Sequence, residues 1–194
     1  MTDAAAFWDK TAPGYAKKPI AEPDAYERTM ERTLAYISPQ DRVLELGCGT
    51  GGTALRLASK AAMVTGSDVS PAVIAFGEAK AKEQGAEHVR FPAADLRSNQ
   101  LDDRYDVVAA FNLMHLVEDI DGALRNIRGR LAPGGLFISK TPNKPTSLLS
   151  PYYWLLHVAL PVMQMLGKAP FVRLQSPGHL EAAIARAGFE IVEN

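Results

Sequence analysis

From position 42 onward the chain alternates short apolar runs with longer stretches in which apolar residues recur at helical spacing. The runs at about 42–46, 62–67, 88–93, 105–111 and 135–140 have strand length, and the stretches between them are long enough for helices. This order predicts β-α-β units and a Rossmann-like, doubly wound, mainly parallel α/β sheet flanked by helices. Upstream, Tyr26, Met30, Leu34 and Ile37 share one face of a helix that starts near Pro23 and Asp24 and ends at Ser38-Pro39. The proline-rich stretch Pro13 to Pro23 reads as a mobile arm leading into it. Ser70-Pro71 and Ser176-Pro177 each pair an N-cap with proline at the first helical position; Gly188 stops the last helix, and Phe189 to Val192 reads as a sixth strand. Right-handed crossovers would put every strand's C-terminal end on one edge, where ligands bind in such sheets.

Composition narrows the function. With 194 residues, 47% hydrophobic and 22% charged, the chain suits one ordinary globular domain. Within it, 1–40 form an arm and helix, 41–141 a cofactor-binding core, 142–175 an apolar lid-like insert, and 176–194 a last helix and strand. A net charge of -1, a pI near 6.4 and no block of Lys and Arg leave no footprint for nucleic acid. The single cysteine, Cys48, allows no intrachain disulfide, and Met1 to Lys10 shows no signal or transit pattern, so a cytoplasmic location is expected. The most apolar segment, 151–166, is shorter than the roughly 20 residues of a membrane span and holds His157, Pro161 and Gln164; it reads as buried or interfacial.

The chemistry begins at Val43-Leu44-Glu45-Leu46, a strand that runs into Gly47-Cys48-Gly49-Thr50-Gly51-Gly52 and then a helix. Glycines there let the backbone approach a ligand closely. Gly47, Gly49 and Gly52 satisfy G-x-G-x-x-G, the dinucleotide fingerprint, while Glu45, Gly47, Gly49 and Gly51 satisfy E-x-G-x-G-x-G. Asp68 ends the second strand, 19 residues beyond Gly49, where an acid can accept from both hydroxyls of a ribose. Asp95 follows the third strand as a further acid on the same edge.

On these residues the chain resembles the class I S-adenosylmethionine-dependent methyltransferases of small-molecule type, over about 7–141. The resemblance implies S-adenosyl-L-methionine as cofactor. It implies that the turn Gly47, Cys48, Gly49 and Gly51 lies against the methionine part and that Glu45 orders the loop or meets the amino group. Asp68, with Val69 beside it, would hold the ribose. Asp95 would accept the adenine amino group, with Ala94 and Leu96 against the ring. Phe111 and Asn112 would contact the cofactor, with Asn112-Leu113-Met114-His115 beside its reactive end, and His115 could act as general base or hold a structural hydrogen bond. The Asn-Pro-Pro-Tyr of family enzymes that methylate nucleobase or protein amide nitrogens is missing here. Phe7-Trp8-Asp9-Lys10 with Tyr15 resembles the family's N-terminal arm, which folds over the cofactor; Tyr15 and Lys18 are candidates to meet its carboxylate. Leu131-Ala132-Pro133-Gly134-Gly135 matches the turn before the family's fifth strand.

The insert carries Tyr152, Tyr153, Trp154, Leu155, Leu156, Met163, Met165 and Leu166, too many large apolar groups for one buried face. It reads as a lid over a lipophilic or aromatic acceptor, with Lys168 and Arg173 near any acidic group, or else as extra core, or as a patch for a membrane surface through 151–166 or for a second subunit. The family's strand seven has no counterpart before Asn194, so the chain is shortened or closes its sheet differently. Two rival functions stay open: a nicotinamide-dependent oxidoreductase sharing the fingerprint, and a module that binds S-adenosylmethionine without transferring methyl groups.

Overall fold

The five predicted apolar runs pair into one wholly parallel sheet in the order β3-β2-β1-β4-β5. The computed structural model describes residues 4–102, 104–142 and 159–194. The strands are β1 (Arg42–Leu46), β2 (Met63–Ser67), β3 (Val89–Arg90), β4 (Tyr105–Phe111) and β5 (Leu131–Lys140). The helices are α1 (Ala4–Tyr15), α2 (Pro23–Ala35), α3 (Gly52–Ala58), α4 (Pro71–Glu83), α5 (Ile120–Arg130), α6 (Leu160–Met165) and α7 (Pro177–Arg186), with a 3-10 turn at Met114–Leu116.

The central strands β1, β2 and β4 are buried on both faces, which is why β1 and β4 are mostly apolar, whereas the edge strand β5 is only partly covered. Val43, Val64 and Val107 pack with Leu57 of α3 and Ile74 of α4 on one face. Their neighbours Leu44 and Val108 pack with Leu124 and Ile127 of α5 and Ala183 of α7 on the other. Each such burial contributes about 1.5–3 kcal/mol. Because β2 and β3 lie to one side of β1 and β4 and β5 to the other, the order in which strands are added reverses between β1 and β4, and the crevice opens at that switch.

Four expectations are corrected. The stretch from Pro13 does not begin as a loose arm: α1 runs to Tyr15 with Pro13 in its last turn, because Ala12 is fully buried and Trp8 stacks edge-on against Tyr15 at 5.8 Å. β3 is shorter than expected because Phe91 turns inward and Pro92 has no N–H to donate; pairing resumes at an isolated bridge between Ala93 and Asp68. β5 starts at Leu131 rather than 135, with Ala132 to Gly135 held as an irregularity where two steps on β4 face five on β5. Residues 189–192 form no strand. Phe189 stacks on Phe137, but Glu193 is drawn to Arg32 and Tyr36 at the end of α2, so the tail leaves β5 instead of pairing along it.

Ser70 caps α4 as expected, its Oγ accepting from Val73 N at 3.1 Å; Ser176 precedes α7 without a side-chain capping bond. Among the described residues no helix is long and apolar enough to cross a membrane.

Candidate functional site

A cleft of about 1500 Å³ lies along the C-terminal edge of the sheet, and the loops after β1, β2, β3 and β4 supply its polar groups. Glu45 sits near the end of β1, 2% exposed, because its strand is central and covered on both faces. Its Oε2 has no hydrogen-bond partner among the described residues. Burial, with the neighbouring Asp68, pushes its carboxyl up to about 8. An unpartnered buried carboxyl oxygen is costly unless a donor arrives.

The turn after β1 is shaped by close approach. Gly49 has φ +56°, and a Cβ there would lie 3.3 Å from the Tyr15 phenol, which reaches over the turn from α1. Gly51 has φ +76° but does not line the cleft: a Cβ would lie 2.7 Å from the Phe91 ring, so this glycine seats Phe91 between α3 and α4.

Asp68 is half-buried at the end of β2. Its Oδ2 accepts from Gly49 N at 3.2 Å and its Oδ1 from Ser70 N at 3.0 Å, so it ties the glycine turn to the α4 cap. Burial raises its pKa against the opposing pull of those N–H groups, and Asp9 adds to the rise. Asp9 itself accepts from Ser70 Oγ and from Ala72 N at 3.1 Å, docking α1 on the start of α4. Burial also raises Tyr15 and Cys48, and in both cases Asp68 and Glu45 push further in the same direction. The site is therefore a crowd of acidic groups that favours cations.

Of the other expected residues, Gly47, Cys48, Val69, Ala94, Asp95, Leu96, Phe111 and Asn112 all line the cleft. Ala94 N donates to Asp68 O at 2.8 Å, which places the third acid's loop beside the second. Asp95 is exposed, its Oδ1 accepting from Arg97 N at 2.8 Å. Asn112 has φ +53°, a left-handed conformation that asparagine tolerates better than most residues, and its N–H bonds Lys140 O at 2.8 Å. Lys18 is exposed on the turn after α1 and does not reach the wall. His115 does not line it either, although Leu113 and Leu116 around it do. Its Nδ1 is buried without a partner among the described residues, and burial lowers its pKa.

Sequence reasoning missed several residues that line the cleft: Tyr26 and Thr29 of α2, Lys140 of β5, and Phe171. Lys140 Nζ donates to Thr29 Oγ1 at 3.2 Å. Only Asp9, inside the quoted Phe7-Trp8-Asp9-Lys10 segment, carried a signal that could have marked it as a docking group. Of the insert, Tyr152 to Leu156 lie outside the described residues. α6 buries none of its residues, which removes extra core as the reading of that part. Arg173 is held near the site, donating to Glu118 O at 3.4 Å and stacked over Phe171 at 5.4 Å, whereas Lys168 does not line the cleft.

Residues 20–194 match the model of a methyltransferase domain. The chain belongs to that family. It is 34% identical over 110 residues to a ubiquinone biosynthesis O-methyltransferase of Aeromonas salmonicida, covering 56% of this chain and 46% of that protein. It is 30% identical over 176 residues to the chloroplastic magnesium protoporphyrin IX methyltransferase of Arabidopsis thaliana, covering 86% and 53%. The fold is that of geranyl diphosphate C-methyltransferase from Streptomyces coelicolor, solved with Mg2+, geranyl diphosphate and S-adenosyl-L-homocysteine: TM-score 0.68, 19% identity, 85% of this chain and 60% of that one. The chain spans less than half the length of the first curated relatives it matches.

Proposed function

We propose that the chain transfers the methyl group of S-adenosylmethionine to a small, lipophilic or aromatic acceptor. The observation that carries the reading is the buried, unpartnered Glu45 oxygen beside the glycine turn, in a site where burial raises the carboxyl groups of Glu45 and Asp68 and a neighbouring acid adds to each rise. A cofactor bearing an ammonium and a sulfonium relieves that crowding, whereas the pyrophosphate of a dinucleotide would add to it. Family membership supports the same choice over a nicotinamide enzyme.

On this reading Glu45 meets the amino group and the Gly47-Cys48-Gly49 backbone lies along the methionine part. Tyr15 faces the carboxylate, without Lys18, which lies off the cleft wall. Asp68 and Val69 hold the ribose, and Ala94, Asp95 and Leu96 the adenine. Bound there, the cofactor supplies an already activated methyl group. The protein's own work is alignment and exclusion of water. Phe111 and Asn112 bound the reactive end, and Phe7, Trp8, Tyr26 and Phe171 give the acceptor side an aromatic wall. Where the acceptor must lose a proton, His115 is the candidate base: its depressed pKa keeps the imidazole neutral at pH 7, and because it stands behind Leu113 and Leu116 it would act through an intervening water. A cytoplasmic location, which suits the free, buried Cys48, is part of the proposal. So is lipid contact through 151–166, since α6 leaves Val162, Met163 and Met165 exposed.

The test is calorimetric titration with S-adenosylhomocysteine and with NAD, followed by transfer of labelled methyl from S-adenosylmethionine to quinols, phenols and lipids. S-adenosylhomocysteine should bind and NAD should not. Binding of NAD alone would overturn the reading, and binding without transfer across a broad panel would favour a non-catalytic module.

A further inference from the structure

The loop from Asp95 to Asp102 carries the third acid of the site; it makes two short turns, Ser98 N donating to Asp95 O at 3.0 Å and Leu101 N to Ser98 O at 3.3 Å, and buries Leu101 in the core. What joins these turns to one another from outside the loop is Arg130, the last residue of α5. Only 7% of Arg130 is exposed, and its guanidinium donates to four main-chain carbonyls of this one loop. Nε donates to Leu96 O at 3.2 Å, Nη2 to Ser98 O at 2.8 Å, and Nη1 to both Leu101 O at 2.9 Å and Asp102 O at 3.2 Å. A basic side chain in the last turn of a helix ordinarily faces water, where it complements the helix dipole. Here it is turned inward, and its planar fork of donors sets the curvature of a seven-residue segment. The far end is held separately: the Asp102 carboxylate takes Arg42 Nη2 at 3.0 Å and also pairs with Arg90.

We infer that Arg130 is a positioning residue for recognition of the cofactor's base, acting through the loop that presents Leu96 and Asp95 to the cleft. The inference rests on the cofactor reading above. Lysine keeps the charge but has one nitrogen and no fork, so it cannot serve four carbonyls spread over seven residues. A residue that only stabilised the fold would lower Tm without altering which base is preferred; a residue that shapes the base-binding loop sets the preference itself.

The experiment measures, by calorimetry, the affinities of the whole chain for S-adenosylhomocysteine and for S-inosylhomocysteine, which lacks the 6-amino group. Unmodified protein, Arg130→Lys and Arg130→Met are compared, with thermal melts reporting folding. The unmodified chain should prefer the adenine ligand. In Arg130→Lys, affinity for S-adenosylhomocysteine should fall by about tenfold and the preference should shrink towards unity, since Asp95 on the unfixed loop loses its charged hydrogen bond to the base. Hydrogen exchange at 96–102 should rise in the same variant. A folded Arg130→Lys or Arg130→Met that keeps both the affinity and the preference would overturn this inference alone. An unmodified chain that binds neither ligand would overturn the cofactor reading and this inference with it.

Discussion

At the scale of single residues, Asp68 does two jobs that sequence spacing could not separate. It accepts from Gly49 N and Ser70 N, and each of its oxygens keeps capacity for a further donor. Asp68→Ala should therefore weaken S-adenosylmethionine binding by about tenfold or more. Calorimetry on the folded variant checks this, and unchanged affinity would remove the ribose assignment. His115 stands differently, behind Leu113 and Leu116 rather than on the wall. If it takes the acceptor's proton, His115→Ala should lower kcat by about 10²-fold or more while leaving KM for the cofactor near its original value. Steady-state kinetics decide; an unaltered kcat would leave the histidine a purely local role.

At the scale of elements, Phe91 explains why β3 is brief and why three glycines converge. A Cβ on Gly51, Gly66 or Gly77 would lie 2.7–3.0 Å from its ring, so α3, β2 and α4 close around one aromatic side chain. Gly51→Ala adds a methyl there and strains a φ of +76°. It should destabilise the protein by about 1–3 kcal/mol. A thermal or urea melt reads the loss directly, and an unshifted midpoint would show that Phe91 can move aside at no cost.

At the scale of the whole molecule, the acidic crowd couples stability, ligand binding and pH. The folded chain holds the Glu45 proton until about pH 8, whereas an ordinary glutamate releases it near 4.5. That contribution to stability is complete below 4.5 and is lost as pH rises through 8, by up to about 1.4 kcal/mol per pH unit in the window. Asp68, also raised by burial, acts with the same sign. Binding an ammonium beside Glu45 favours its ionised form, so ligand affinity should move the other way and strengthen from pH 6 to 8. Urea melts and titrations of the unmodified chain and Glu45→Gln between pH 5 and 8.5 test both slopes. Parallel behaviour of the two proteins would sink the coupling.

The order of strands and helices, the α4 cap at Ser70-Pro71 and the acids at positions 45, 68 and 95 were all legible in the chain, because periodicity and turn chemistry are local properties. The family's first motif carried the cofactor expectation with them. What folding alone decided is long-range. The stacking of Trp8 and Tyr15 made a helix of a supposed arm, and the pull of Arg32 and Tyr36 on Glu193 took the tail off β5. Arg130 turned inward because four carbonyls of a distant loop needed a donor. Sequence determines which residues can serve such contacts; only the packed molecule, where buried polar groups must find partners and apolar faces must be covered, decides which of them do.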